Sequence, residues 1–171
     1  RRNSLLIAIL GIAGGYLTPF MIETQNPSVV SFLGYLLLLG SGVLFIAWRK
    51  DWRILNYIGF AATSLLTLKA VNAGFSPERF WEFMPFLIGF FTLFSTATFL
   101  YHLASKQKAT LLELLFLFLN ASVFLAFSVQ LVESTFSRES IAFVTLGLAV
   151  FYIGHIAYFL RKNIEDKGLL L

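Results

Sequence analysis

Read for polarity alone, the chain is a series of six apolar runs separated by short polar connectors. The runs cover approximately 4–22, 29–48, 54–73, 82–104, 111–132 and 141–160. Each is about 19–24 residues, the length at which a helix crosses a hydrocarbon core of roughly 30 Å. The run LGYLLLLGSGVLFIAW does not alternate in polarity, so it does not read as a membrane strand. Backbone amides left unpaired in lipid are too costly, so each run is expected to be a helix. The connectors ETQNPS, RKDWR, NAGFSPER, SKQKAT, ESTFSRES and RKNIEDK all carry charge, Pro, Gly or Asn, the residues of turns and interfaces. The expected fold is all-α: one polytopic transmembrane helix bundle of about six spans over residues 1–171.

Charge then orients the bundle. Arg1, Arg2, Arg49, Lys50, Arg53, Lys106, Lys108, Arg161, Lys162 and Lys167 fall on one side. Arg79 and Arg138 fall on the other, with Lys69 just inside the third span. Loops rich in Lys and Arg stay in the cytoplasm, so both ends are expected there. Trp48, Trp52, Tyr101 and Tyr158 lie near the inner boundary and Trp81 near the outer, as an aromatic belt requires.

Composition agrees. Of the 171 residues, 58% are hydrophobic and only 13% charged, and mean hydropathy is +0.80; ordinary globular domains carry about 25% charged residues. The net charge of +4 does not point to nucleic acid, because the basic residues sit at the ends of apolar runs. Cysteine is absent, which removes disulfides and thiolate metal sites. The opening residues imitate a signal peptide, but the apolar run continues through Ile22 and nothing marks a cleavage site. The missing initial Met and the Leu-rich end read as an excerpt from a longer protein.

Small and polar residues recur at helical spacing. Ala8, Gly11, Gly15 and Thr18 share one face, and Gly11 and Gly15 form a G-x-x-x-G pair of the kind that lets backbones approach. Pro19 follows one turn later, where it kinks or ends the helix. Similar stripes are Ser31, Gly34 and Ser41; Asn56, Gly59, Thr63 and Thr67; and Gly147, Gly154 and Tyr158. These faces are expected to pack helix on helix. The fourth span, dense in phenylalanine, is expected at the periphery.

Ionisable residues inside a membrane are functional candidates. Lys69 could contact an anion or substrate, paired with Glu23 or Glu82; the competing account is snorkelling to the headgroups. Its position, about 120° around the helix from Asn56 and Thr63, favours snorkelling. Glu113 opens the fifth span, where the helix N-terminus favours an acid. Asn120 lies deeper on an arc shared with Glu113, Val123 and Gln130, and reads as structural glue. Glu78, Arg79 and Glu82 form a compact outer cluster that fits helix-end solvation. His102 and His155 lack a carboxylate cluster, so no metal is expected. No hydrolase, phosphate-loop or dinucleotide signature occurs, and no catalytic residue or cofactor is assigned.

The segment GIAGGYLTPFMIETQNPSVVSFLGYLLLLGSGVLFIAWRKDWRILNYIGF resembles a family of bacterial multi-pass membrane proteins catalogued as domain of unknown function 2339, "predicted membrane protein". The resemblance rests on Gly14, Gly15, Tyr16, Leu17, Thr18 and Pro19, then Gly34 and Tyr35, then Trp48, Arg49, Lys50 and Trp52. It covers residues 8–66 well. It implies membrane residence within a longer chain and supplies no catalytic residue.

The expectation is a multi-pass protein of the bacterial inner membrane, most simply a non-enzymatic envelope scaffold or assembly module. Its partners would be the lipid bilayer, other membrane proteins or further spans of the same chain. Two alternatives stand beside it. A transporter or flippase would use Pro19 and Gly14-Gly15 as a helix break. An intramembrane enzyme of envelope glycan or lipid metabolism would need the Glu78–Glu82 cluster.

Overall fold

A computed structural model describes residues 2–21, 28–50, 52–105 and 111–161. The described residues form six α-helices: α1 Arg2–Met21, α2 Val29–Lys50, α3 Arg53–Gly74, α4 Phe80–Ser105, α5 Leu111–Thr135 and α6 Ile141–Arg161. Short 3₁₀ turns, Pro77–Arg79 and Arg138–Ser140, lead into α4 and α6. Each apolar run of the sequence carries one helix, because only a helix satisfies its own amides without water.

Among the described residues, five segments are long and apolar enough to cross a membrane: Val29–Lys50, Arg53–Gly74, Pro77–Thr98, Leu111–Thr135 and Arg138–Tyr158. The described apolar stretch of α1, Leu5–Pro19, is shorter.

The chain divides into two compact units, Arg1–Phe94 and Ser95–Leu171. In the first, α2 is central. It packs along α3 and also meets α1. Its partners interlock through glycines. A Cβ on Gly15 would lie 3.1 Å from Leu39 Cδ1, and one on Gly59 would lie 3.3 Å from Val43 Cγ1. Toward α4 the pattern is reciprocal: Gly34 receives Phe86, Gly40 receives Leu93, and Gly89 receives Leu37. Without a hydrophobic drive between helices in lipid, such close packing supplies the attraction.

The fourth span corrects an expectation. Its phenylalanines are not peripheral: Phe83, Phe90, Phe91 and Phe94 are buried. Phe94 meets Phe60 edge-on at 5.4 Å, and Phe83 meets Phe75 in the same way at 5.5 Å. Edge-to-face ring pairs make large residues good core fillers even where lipid competes for them.

The inward face of α1 also differs from the Gly11–Gly15 stripe. Among the described side chains of α1, Ile12 and Tyr16 are buried, and Gly11 is exposed. On α2, Ser31 and Ser41 are exposed, and Ser41 bonds back to the Leu37 carbonyl. In the second unit α5 and α6 pack side by side. α5 buries Phe116, Leu117, Phe124, Phe127, Leu131 and Val132 along one face, whereas no residue of Arg138–Tyr158 is buried.

Candidate functional site

The polar residues of α3 recur every three or four positions, so the helix gathers them on one side. That side is turned inward: Gly59 is buried, Thr63 is 2% exposed and Thr67 is 1% exposed. A polar face placed in an apolar core must find partners. Tyr16 of α1 supplies one. Its hydroxyl lies 2.9 Å from Thr63 Oγ1 and donates to the Gly59 carbonyl at 3.2 Å. Glycines make the space. A Cβ on Gly59 or Gly40 would stand 3.6 or 3.9 Å from the phenolic oxygen.

Two atoms of the same face, Asn56 Oδ1 and Thr67 Oγ1, are buried without a hydrogen bond. Several other hydroxyls in these helices behave differently. Thr18, Ser41, Thr92, Ser122 and Ser134 each bond to a carbonyl one turn back.

A second bond ties α1 to α2. Pro19 has no N–H, so the carbonyl of Gly15, four residues earlier, lacks its usual helical donor. Tyr35 of α2 donates its hydroxyl to that carbonyl at 2.8 Å. Gly15 has no side chain to block the approach. Thus Gly15, Tyr16 and Pro19 on one helix and Tyr35 on the next act as one joint.

In the second unit, Asn120 is 3% exposed, and its Nδ2 donates to Ser95 Oγ at 2.8 Å. Glu113 is 5% exposed in the first turn of α5. Ser128 Oγ is buried and unpartnered, and Gln130 is exposed. Tyr152 of α6 donates weakly to the Leu117 carbonyl at 3.4 Å. His155 Nδ1 lies 2.9 Å from the Phe151 carbonyl, and its ring lies against Phe151.

At the α3–α4 turn, Arg79 is committed on three nitrogens. Nε and Nη2 donate to Glu82 Oε2 at 3.0 and 2.9 Å, and Nη1 donates to the Gly74 carbonyl at 2.9 Å. That carbonyl belongs to the last turn of α3, where the helix leaves its acceptors open. Arg79 therefore clasps the end of α3 to the start of α4, and Glu82 is paired with it. Glu78 is exposed.

Lys69 is exposed beside Leu65, Leu68, Asn72 and Ala73, away from the buried stripe. Glu23 and the side chain of His102 lie outside the described residues. Gly11, Gly147 and Gly154 have open space where a Cβ would stand, whereas Gly15 and Gly59 are packed. Among the described residues no group of three or more His, Cys, Asp or Glu could hold a metal ion.

The geometry thus brings together residues that the sequence left in separate stripes. The Asn56–Thr67 face could be read from spacing, and so could Asn120. The Tyr35–Gly15 bond is not among the sequence expectations, although its signal is present: a proline four residues after a glycine.

The family model described as "Predicted membrane protein (DUF2339)" matches residues 1–171. No curated protein matches the chain. No solved structure matches it either.

Proposed function

We propose that this chain, which belongs to the DUF2339 family of predicted membrane proteins, is a non-enzymatic scaffold or assembly module of the bacterial inner membrane. Its membrane residence follows from the family and from the apolar helices. Both termini of the 171-residue chain are cytoplasmic in this reading, which rests on ten cationic residues against Arg79 and Arg138.

The observation that carries the scaffold reading is how the buried and half-buried polar groups are used. Tyr16, Tyr35 and Asn120 each spend a hydrogen bond on another helix. Such bonds hold helices together in lipid. A transporter would use a broken helix as its binding point, with free backbone groups facing the solute. At Pro19 the freed carbonyl is already closed by Tyr35. An enzyme built on Glu78, Arg79 and Glu82 would need a guanidinium available to substrate, but Arg79 is spent on Gly74 and Glu82.

Reconstitution tests the reading. The purified protein in liposomes is expected to move neither solutes nor lipids above the protein-free rate. Its deletion from cells is expected to break up a membrane complex seen on native gels. Specific solute flux or lipid flipping in the liposomes would overturn the proposal.

A further inference from the structure

The turn between α3 and α4 recurs between α5 and α6. Val71-x-x-x-Phe75-Ser76-x-Glu78 returns as Val132-x-x-x-Phe136-Ser137-x-Glu139, 61 residues on. In both, the Phe amide donates to the Val carbonyl, and a 3₁₀ turn follows the serine. Burial repeats with the same offset. Leu55, Gly59, Thr63, Thr67 and Val71 are buried on α3, and so are the five residues 61 beyond them on α5. Among the described side chains of α6, those that are not exposed, from Ile141 to His155, each fall 61 beyond a buried residue of α4. The two helical hairpins follow one plan.

They differ on one flank. On α4, Phe86, Gly89 and Leu93 alternate bulk, gap and bulk, and they pack against Gly34, Leu37 and Gly40 of α2. Their counterparts on α6 are Gly147, Val150 and Gly154, which alternate gap, bulk and gap. Val150 is 62% exposed, and a Cβ on either glycine would meet nothing within 4 Å. The flank that holds a helix in the first hairpin is therefore open in the second, with its relief reversed.

The matching relief is on α1. Leu10, Gly14 and Leu17 share a face opposite to the buried Ile12 and Tyr16. Leu10 and Leu17 are 71% and 56% exposed, and a Cβ on Gly14 would meet nothing within 4 Å. We propose that α1 of one molecule packs antiparallel against α6 of a second copy of this chain. Leu17 enters the gap at Gly147, Val150 enters the gap at Gly14, and Leu10 enters the gap at Gly154. Small residues that let backbones approach are what hold helices together in lipid.

Depth supports the register. In a six-span chain α1 ends and α6 begins on the same side of the membrane. Leu17 lies four residues from Met21, and Gly147 lies six from Ile141, about 6 and 9 Å at 1.5 Å per residue. Leu10–Leu17 and Gly147–Gly154 both span seven residues, so the agreement holds along the contact. The contact joins two different surfaces, so copies add head to tail into a ring or a row. It does not rest on the scaffold reading, because a transporter would assemble through the same faces.

The chain has no cysteine, which makes disulfide trapping direct. Full-length chains with one cysteine each and different tags are co-expressed and oxidised in native membranes. L17C with G147C is expected to give a covalent dimer carrying both tags, and so is L10C with G154C. L10C with G147C, about 10 Å out of register, is expected to give none. Adding G147L to the G154C chain fills the neighbouring gap and should abolish its bond to L10C. Absence of the mixed dimer from both matched pairs, as for a face that meets only lipid or a different protein, would overturn the proposal. Equal yield from the mismatched pair, or a bond that survives G147L, would overturn it too.

Discussion

The Tyr35 hydroxyl donates to the Gly15 carbonyl at 2.8 Å, the one acceptor that Pro19 strips of its helical donor. Helix kinks at proline are tolerated in membranes when a neighbouring helix supplies the missing partner. Here the partner is a single phenol. Y35F should therefore leave a half-buried carbonyl unsatisfied and cost about 1 kcal/mol. P19A restores an N–H at the same place, so Y35F in a P19A background should cost much less. Unfolding of the four proteins in mixed micelles measures the coupling. Equal costs in both backgrounds would disconnect Tyr35 from Pro19.

Gly59 and Gly147 make a matched contrast. A Cβ on Gly59 would stand 3.3 Å from Val43 Cγ1, while one on Gly147 meets nothing within 4 Å. G59V is expected to destabilise the first unit by about 1–3 kcal/mol through overpacking, with V43A recovering part of the loss. G147L is expected to stay within about 0.5 kcal/mol of the wild type, as outward-facing changes do. Thermal melting in detergent decides it. A tolerant Gly59 would mean that α2 and α3 are not closely held there.

Asn120 and Ser95 offer a direct measure of polar glue in the second unit, since Nδ2 and Oγ are 2.8 Å apart. A double-mutant cycle of N120A and S95A should return about 0.6 kcal/mol and at most about 1.7 kcal/mol, the range found for hydrogen bonds between membrane helices. A coupling near zero would assign Asn120 some other task.

Topology can be tested without background labelling, because the chain has no cysteine. S76C lies in the turn between α3 and α4, and W52C in the turn between α2 and α3. An impermeant maleimide added to intact cells should label S76C, and should label W52C only after the membrane is opened. The reverse pattern would invert the cationic-side assignment.

Fold was legible where periodicity and lipid physics agree. Apolar runs long enough to span must be helices, and the Asn56–Thr67 spacing marked the inward side of α3. Two features were not legible, for physical reasons. Phenylalanine is at home both in lipid and in a core, so the Phe83–Phe94 series carried no sign of which side it took. On α1 the glycines suggested one face, but among the described side chains Ile12 and Tyr16 are the buried ones. A phenol needs a partner when it leaves water, whereas a glycine can face acyl chains at no such cost. The lesson is that hydroxyl-bearing aromatics outrank glycines in fixing the rotation of a membrane helix.

The joint between Tyr35 and Gly15 bears on how the protein is made. During synthesis α1 emerges before the residue that completes its backbone. Alone among acyl chains it would expose a bare carbonyl one turn before its proline. The backbone of the first helix is thus completed only by the second, through Tyr35.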